Sequence, residues 1–160
     1  MGKFIKEIKE FEEFLKEQRE NRKKVVFTNG CFDIIHAGHV DYLEKAKSFG
    51  DILIIGVNSD SSIKRIKGEN RPIVSQKFRI RALLGLKVVD AVVLFDEDTP
   101  LNLIRLVKPD VLVKGADWPV EKIIGREYAD KVERIDFVYE ISTSKIIERI
   151  VETYCGDIKS

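Results

Sequence analysis

Four short runs in this chain are apolar on consecutive positions: VVFTN at 25–29, DILIIGVN at 51–58, DAVVLF at 90–95 and DVLVKG at 110–115. A strand wetted on one face alternates apolar and polar residues, whereas one that is apolar throughout must be covered on both. The intervening segments HVDYLEKAKSFG, SQKFRIRALLGL, PLNLIRLVK and SKIIERIVETY carry helical spacing. Buried strands alternating with helices predict an α/β chain, a Rossmann-like doubly wound and mainly parallel sheet with helices on both faces. RIDFVYE, at 134–140, is a weaker candidate strand. Near the start, Phe4, Ile8, Phe11 and Leu15 recur at helical spacing with Ile5 and Phe14 beside them, which predicts an amphipathic helix over residues 1–22. A chain of 160 residues suits a single domain, 1–160.

A formal net charge of +1 gives no global reason to expect nucleic acid or an anionic membrane as partner. No apolar stretch approaches the roughly 20 residues that span a bilayer. The opening MGKFIKEIKEFEEF alternates charge too densely for a secretory signal, so a cytoplasmic location is expected. Cys31 and Cys155 form neither a metal-type cluster nor a disulfide scaffold.

Parallel sheets bind ligands beyond the carboxyl ends of their strands, which directs attention to the loops expected there, TNGCFDIIHAGH, NSDSSIKRIKGENRP, FDEDTP and KGADWP. The loop TNGCFDIIHAGH, 28–39, holds both histidines of the chain. Asn29 and Gly30 follow the first buried run, and Gly30 permits a turn or close ligand approach. Gly38 sits where the next helix begins, and free N–H groups at a helix start suit phosphate. His36 and His39 there can add two hydrogen-bond donors aimed at one anion. His-x-x-His is also a possible chelating pair, but no Cys or third His stands near, and no residue is assigned to a metal. There is no Walker P-loop, no three-glycine dinucleotide fingerprint and no G-x-S-x-G elbow, so phosphate is bound by another scheme.

His36-Ala37-Gly38-His39 resembles the signature of the H-x-G-H nucleotidyltransferase superfamily. Its second, Ser/Thr-rich signature is matched by ISTSKII at 141–147. Within that superfamily, VNSDSSIKRIKGENRP, VVDAVVLFDEDTPLNLIRLVKPDVLVKGADW and STSKIIERI resemble the adenylyltransferase part of ADP-heptose synthases. Ile147 stands where glycerol-phosphate cytidylyltransferases carry a basic residue, which favours the heptose branch. The resemblance implies transfer of AMP from ATP to a heptose 1-phosphate, with Mg²⁺ bridging phosphates and a homodimeric state. Many such domains are fused to a sugar kinase; this chain is expected to be the free-standing form. A CTP-dependent cytidylyltransferase acting on glycerol 3-phosphate or another alcohol phosphate, and a nucleotide-binding module without turnover, are the alternatives.

The resemblance assigns His36 and His39 to the triphosphate and, with them, Lys47, two helical turns on. The backbone around Thr28, Asn29, Gly30 and Phe32 would cradle phosphates, and Asp33 would touch the sugar or steady the loop. Ser142, Thr143 and Ser144 precede an apolar run, so one is a natural N-cap, and their hydroxyls and amides suit phosphate. Lys114 and Gly115 end a buried run and would face the nucleotide, while Asp117 and Trp118 would shape the nucleobase or sugar pocket. Arg71 and Arg79 are candidates for the sugar phosphate, because guanidinium forks match phosphate oxygens. Asp96, Glu97 and Asp98 resemble a metal cluster, but Asp98-Thr99-Pro100 also makes a helix entry, which is the primary reading.

Overall fold

The computed structural model describes residues 1–156, so the end of the 1–160 domain, residues 157–160, lies outside the described residues. Six strands form one sheet, parallel throughout, in the order β1-β4-β3-β2-β5-β6. They are β1 Lys3–Ile5, β2 Val25–Gly30, β3 Ile52–Asn58, β4 Ala91–Phe95, β5 Val111–Gly115 and β6 Lys131–Ile135. Among the described residues six α-helices connect or flank them: α1 Ile8–Glu20, α2 Ala37–Lys47, α3 Asp60–Lys67, α4 Gln76–Leu84, α5 Leu101–Val107 and α6 Thr143–Tyr154. None is long and apolar enough to cross a membrane among the described residues.

The apolar runs are explained by two cores, one on each face. Along β2, Val25 and Phe27 point to one core and Val26 to the other; along β3, Ile54 faces the first, Leu53 and Ile55 the second. Phe11 and Leu15 of α1 with Ile104 and Val107 of α5 cover one face. Leu43 and Ala46 of α2 with Ile80 and Leu83 of α4 cover the other. After β2 the chain builds outward through β3 and β4, then returns to the far side of β2 for β5 and β6. The strand order reverses there, so the loops after β2 and β5 part and leave a crevice between them.

Three local expectations need correction. Residues 1–22 are not one helix: Lys3–Ile5 pairs in register with Ala91–Val93, and the helix begins only at Ile8. The open edge of β4 offers backbone partners that a helical start does not, and pairing there outweighs the periodicity of Phe4 and Ile5. The last strand is KVERI rather than RIDFVYE, with only Ile135 fully buried. It is an edge strand, where charge is tolerated and apolar runs are not required. The stretch read as a loop after β3 contains α3, capped by Ser59, whose Oγ accepts from Ser62 N at 3.0 Å.

Candidate active site

The loop leaving β2 is held by a backbone strain point. Phe32 adopts φ +48°, a left-handed conformation rare for a residue with a side chain, and its ring is buried. Gly30, in contrast, completes β2 in extended geometry and makes no turn. The loop ends at His36, the N-cap of α2. There each imidazole is tied to the backbone through Nδ1: His36 Nδ1 accepts from Gly38 N at 3.1 Å, and His39 Nδ1 accepts from His36 N at 3.3 Å. An Nδ1 that accepts cannot carry the proton, so both neutral rings are Nε2–H tautomers with that donor free. The ring centroids lie 3.8 Å apart. Gly38 is required by this packing, because a Cβ there would meet His36 Cε1 at 2.9 Å.

Electrostatics keeps the pair uncharged in the free protein. Burial pushes His39 down to about 4, helped by the neighbouring His36 and Lys67. Burial also lowers His36. Two uncharged donors at a helix start form an environment that gains from an arriving anion.

The pair lines a cavity of about 500 Å³ at the carboxyl ends of the strands. The second wall is the start of α6, where Ser142 is the N-cap and accepts from Lys145 N at 3.2 Å. Thr143 Oγ1 donates to Ile34 O at 3.5 Å, and Ile141 packs beside Gly38, so two helix starts converge on the same space. Ser142, Thr143 and Ser144 all line it. The third wall comes from the loop after β5: Lys114, Gly115, Asp117 and Trp118. Lys114 donates to Asn29 Oδ1 and has no carboxylate partner among the described residues; burial pushes its ammonium down to about 8, against smaller opposing pulls from Asp117 and Cys31. A Cβ at Gly115 would collide with the Phe137 ring, so the backbone and that aromatic meet closely.

Of the residues singled out in the sequence, Asn29, Gly30, Phe32, His36, Gly38 and His39 line the cavity with the third-wall and α6 residues. Arg71 also lines it, with Nε bound to Asp33 Oδ2 at 2.7 Å. Four residues are elsewhere. Thr28 is buried beneath the floor, bonded to Tyr42 Oη at 2.8 Å and donating to Val113 O at 3.0 Å. Asp33 accepts from Ile73 N at 3.0 Å and Val74 N at 2.8 Å as well as from Arg71, so it steadies the loop rather than facing a substrate. Burial would raise its carboxyl, but those amides and the guanidinium outweigh it and hold it below the ordinary range. Lys47 points away, into an ion pair with Asp90. Arg79 is fully buried, with donors on Val74 O, Cys31 O, Asn58 O and Asp60 Oδ1. The acidic run 96–98 is engaged by Arg65 and Ser59, and among the described residues no three His, Cys, Asp or Glu side chains cluster as metal ligands.

Sequence reasoning missed Tyr42, Lys67, Phe137, Tyr139 and Lys145, which also line the cavity. Tyr42 lies three residues after His39 on α2, a spacing that places both on one helix face. Lys67 is hidden because DSSIKRIK carries too few apolar residues to announce α3. Phe137 and Tyr139 are hidden because the alternating pattern of RIDFVYE resembles a strand, whereas these two residues follow β6.

A family model described as cytidylyltransferase-like matches residues 27–149. The bifunctional protein HldE of Campylobacter jejuni subsp. jejuni serotype O:6 (strain 81116 / NCTC 11828) is 56% identical over 147 residues, which are 92% of this chain and 32% of that protein. The bifunctional protein HldE of Helicobacter pylori (strain Shi470) is 55% identical over 146 residues, 91% of this chain and 31% of that protein. The chain thus spans about a third of the length of these relatives. Among solved structures, the lipopolysaccharide core biosynthesis protein from Thermoplasma volcanium GSS1 matches with a TM-score of 0.59 and 30% identity, covering 74% of this chain and 99% of that one. Pantoate-beta-alanine ligase from Francisella tularensis, complexed with beta-gamma ATP and beta-alanine, matches at 14% identity and a TM-score of 0.64 over 95% of this chain and 78% of that one, and so shares the fold.

Proposed function

This chain belongs to the cytidylyltransferase-like family, and from that premise we propose that it is a sugar-phosphate adenylyltransferase, moving AMP from ATP to a heptose 1-phosphate. The observation that carries this reading is the convergence of His36, His39, Lys114 and two helix starts on one cavity. The heptose acceptor rests on the HldE relatives.

An oxygen of the sugar phosphate attacks the α-phosphorus in line. The new bond joins that oxygen to phosphorus as the bond to the pyrophosphate oxygen breaks. The attacking phosphate is already ionised, so no base has to remove a proton. What the reaction needs is alignment and donors for charge growing on the α-phosphate and the leaving pyrophosphate. The two Nε2–H groups are such donors, and their neutrality fits them to stabilise charge rather than to relay protons. The amides at the start of α6 and the Lys114 ammonium serve the rest of the triphosphate. Trp118, Phe137 and Tyr139 offer flat surface for the nucleoside. The carboxylates of Asp117 and Glu140 line the cleft, and these two residues would hold a Mg²⁺ that enters with the nucleotide, an ion that needs few protein carboxylates. There it would supply positive charge to offset that of the phosphates.

The test is pyrophosphate release by the purified protein with Mg²⁺, each of ATP and CTP, and a panel of sugar and polyol phosphates. ATP with heptose 1-phosphate should turn over, and His39→Ala should lose about 10²–10³ in rate, as for removal of one oxyanion donor. Release only with CTP and glycerol 3-phosphate would overturn the assignment.

A further inference from the structure

At the amino ends of the strands, where β2, β5 and β6 begin, lies a second cleft of about 460 Å³. The strands separate it from the candidate active site by about 17–20 Å, at roughly 3.3 Å per residue. Arg19, Arg22, Lys23, Lys24 and Lys108 line it. Among the described residues none of these five forms an ion pair with a carboxylate. The two acids of the lining are Asp110 and Asp130, and Asp110 already accepts from Val25 N at 2.6 Å. A chain of net charge +1 therefore concentrates a local excess of positive charge here.

Part of this has a structural reason. The cleft collects the carboxyl ends of α1 and α5, and Arg19 donates to Val107 O. Each helix end carries about half a negative charge, so the two together offset about one of the five cations. The excess beyond the two aspartates remains. The backbone adds an independent observation. Among the described residues three non-glycines have positive φ, and two of them are Arg22 at +55° and Lys108 at +44°. Just past a helix such a position is ordinarily filled by Gly, which adopts it without steric cost. Here both carry long basic side chains instead, at the rim of the same cleft.

We propose that this cleft binds a compact polyphosphate, two or more phosphoryl groups close together. All seven lining residues are charged and none is aromatic, so no ring stands ready to stack on a nucleobase and the polar groups offered to a ligand are mostly cationic. Arg22 offers a fork that matches phosphate oxygens, and Arg19 the donors not spent on Val107 O. The ligand can be free pyrophosphate or a bisphosphorylated metabolite, which share this chemistry.

The experiment is calorimetric titration of the full chain, in the presence of a non-hydrolysable ATP analogue, with pyrophosphate, tripolyphosphate and a hexose bisphosphate. The double variant Arg22→Gly/Lys108→Gly is the comparison, since glycine suits both backbone positions and a thermal melt verifies its fold. Wild type should bind one equivalent of at least one phosphate probe, more weakly as salt rises. The double variant should lose at least tenfold in affinity, while the charge-matched Lys9→Ala/Lys16→Ala keeps it. The better probe then names the source. No binding by any phosphate probe, equal binding by the double variant, or equal binding of citrate would overturn the proposal. So would capture of anionic vesicles or RNA without binding of the phosphate probes.

Discussion

Replacing Arg79 with methionine should unfold this protein far more readily without acting on a substrate. The guanidinium is wholly buried and donates to Val74 O at 3.0 Å, Cys31 O at 2.7 Å, Asn58 O at 2.9 Å and Asp60 Oδ1 at 2.8 Å. Those partners belong to the loop after β2, the end of β3, the start of α3 and the lead into α4, so one side chain ties four segments behind the cavity. Methionine fills comparable volume but leaves three carbonyls without that donor, at about 1–3 kcal/mol for each one that stays dry. Asp60 is a third exposed and recovers solvent, and relaxation will hydrate some carbonyls. The net loss should therefore match that for breaking a buried pair, about 3–5 kcal/mol. Against a typical total of about 5–15 kcal/mol this is a large fraction. For a chain of this size it corresponds to a fall of about 6–20 °C in Tm. Urea unfolding followed by circular dichroism measures it, and Arg79→Lys should fall between, since lysine keeps the charge but not the fork. A loss below about 1 kcal/mol together with a raised KM for the sugar phosphate would refute the reasoning and return Arg79 to the substrate.

Lys114→Met should stabilise the free protein and weaken nucleotide binding. With the folded ammonium at about 8 against an ordinary 10.5, folding at pH 7 bears the cost of a desolvated cation, up to about 3 kcal/mol; an unchanged melting temperature with unchanged ATP-analogue affinity would contradict this. Lys47→Met should cost about 1–2 kcal/mol through the lost contact with Asp90 and leave turnover at wild-type level, whereas a hundredfold fall in kcat would restore Lys47 to the site. Stability should decline as pH falls from 6.5 towards 4: in that window the unfolded chain protonates at His39 while the folded one, held at about 4, does not. The decline is at most about 3 kcal/mol, less with solvent screening, and His39→Gln should flatten it when urea midpoints at pH 7 and 4.5 are compared.

The sheet was legible because burial on both faces leaves an unmistakable mark: apolar runs such as DILIIGVN can be little else. The His36–His39 loop and the Ser142 cap were legible because helix starts have their own chemistry. What failed were readings that depend on partners remote in sequence. Phe4 and Ile5 fit a helical period, yet the free edge of β4 makes them a strand. KVERI is too charged to read as a strand until its edge position is known. Arg79, Asp33 and Lys47 look like ligands for phosphate or sugar, but Cys31, Ile73 and Asp90 supply partners within the protein. A charged residue in a sequence announces that it needs a partner, not whether that partner is substrate or backbone.

At the centre of the proposed chemistry stand His36 and His39, neutral donors whose Nδ1 atoms are held by the backbone. Nitrogen-15 NMR of the two labelled imidazoles, titrated with and without a non-hydrolysable ATP analogue, tests it directly. Both rings should be Nε2–H tautomers at pH 7, His39 should titrate near 4 in the free protein, and the analogue should shift both Nε2 signals and raise that midpoint. A ring protonated at Nδ1, or Nε2 signals indifferent to the analogue, would contradict it.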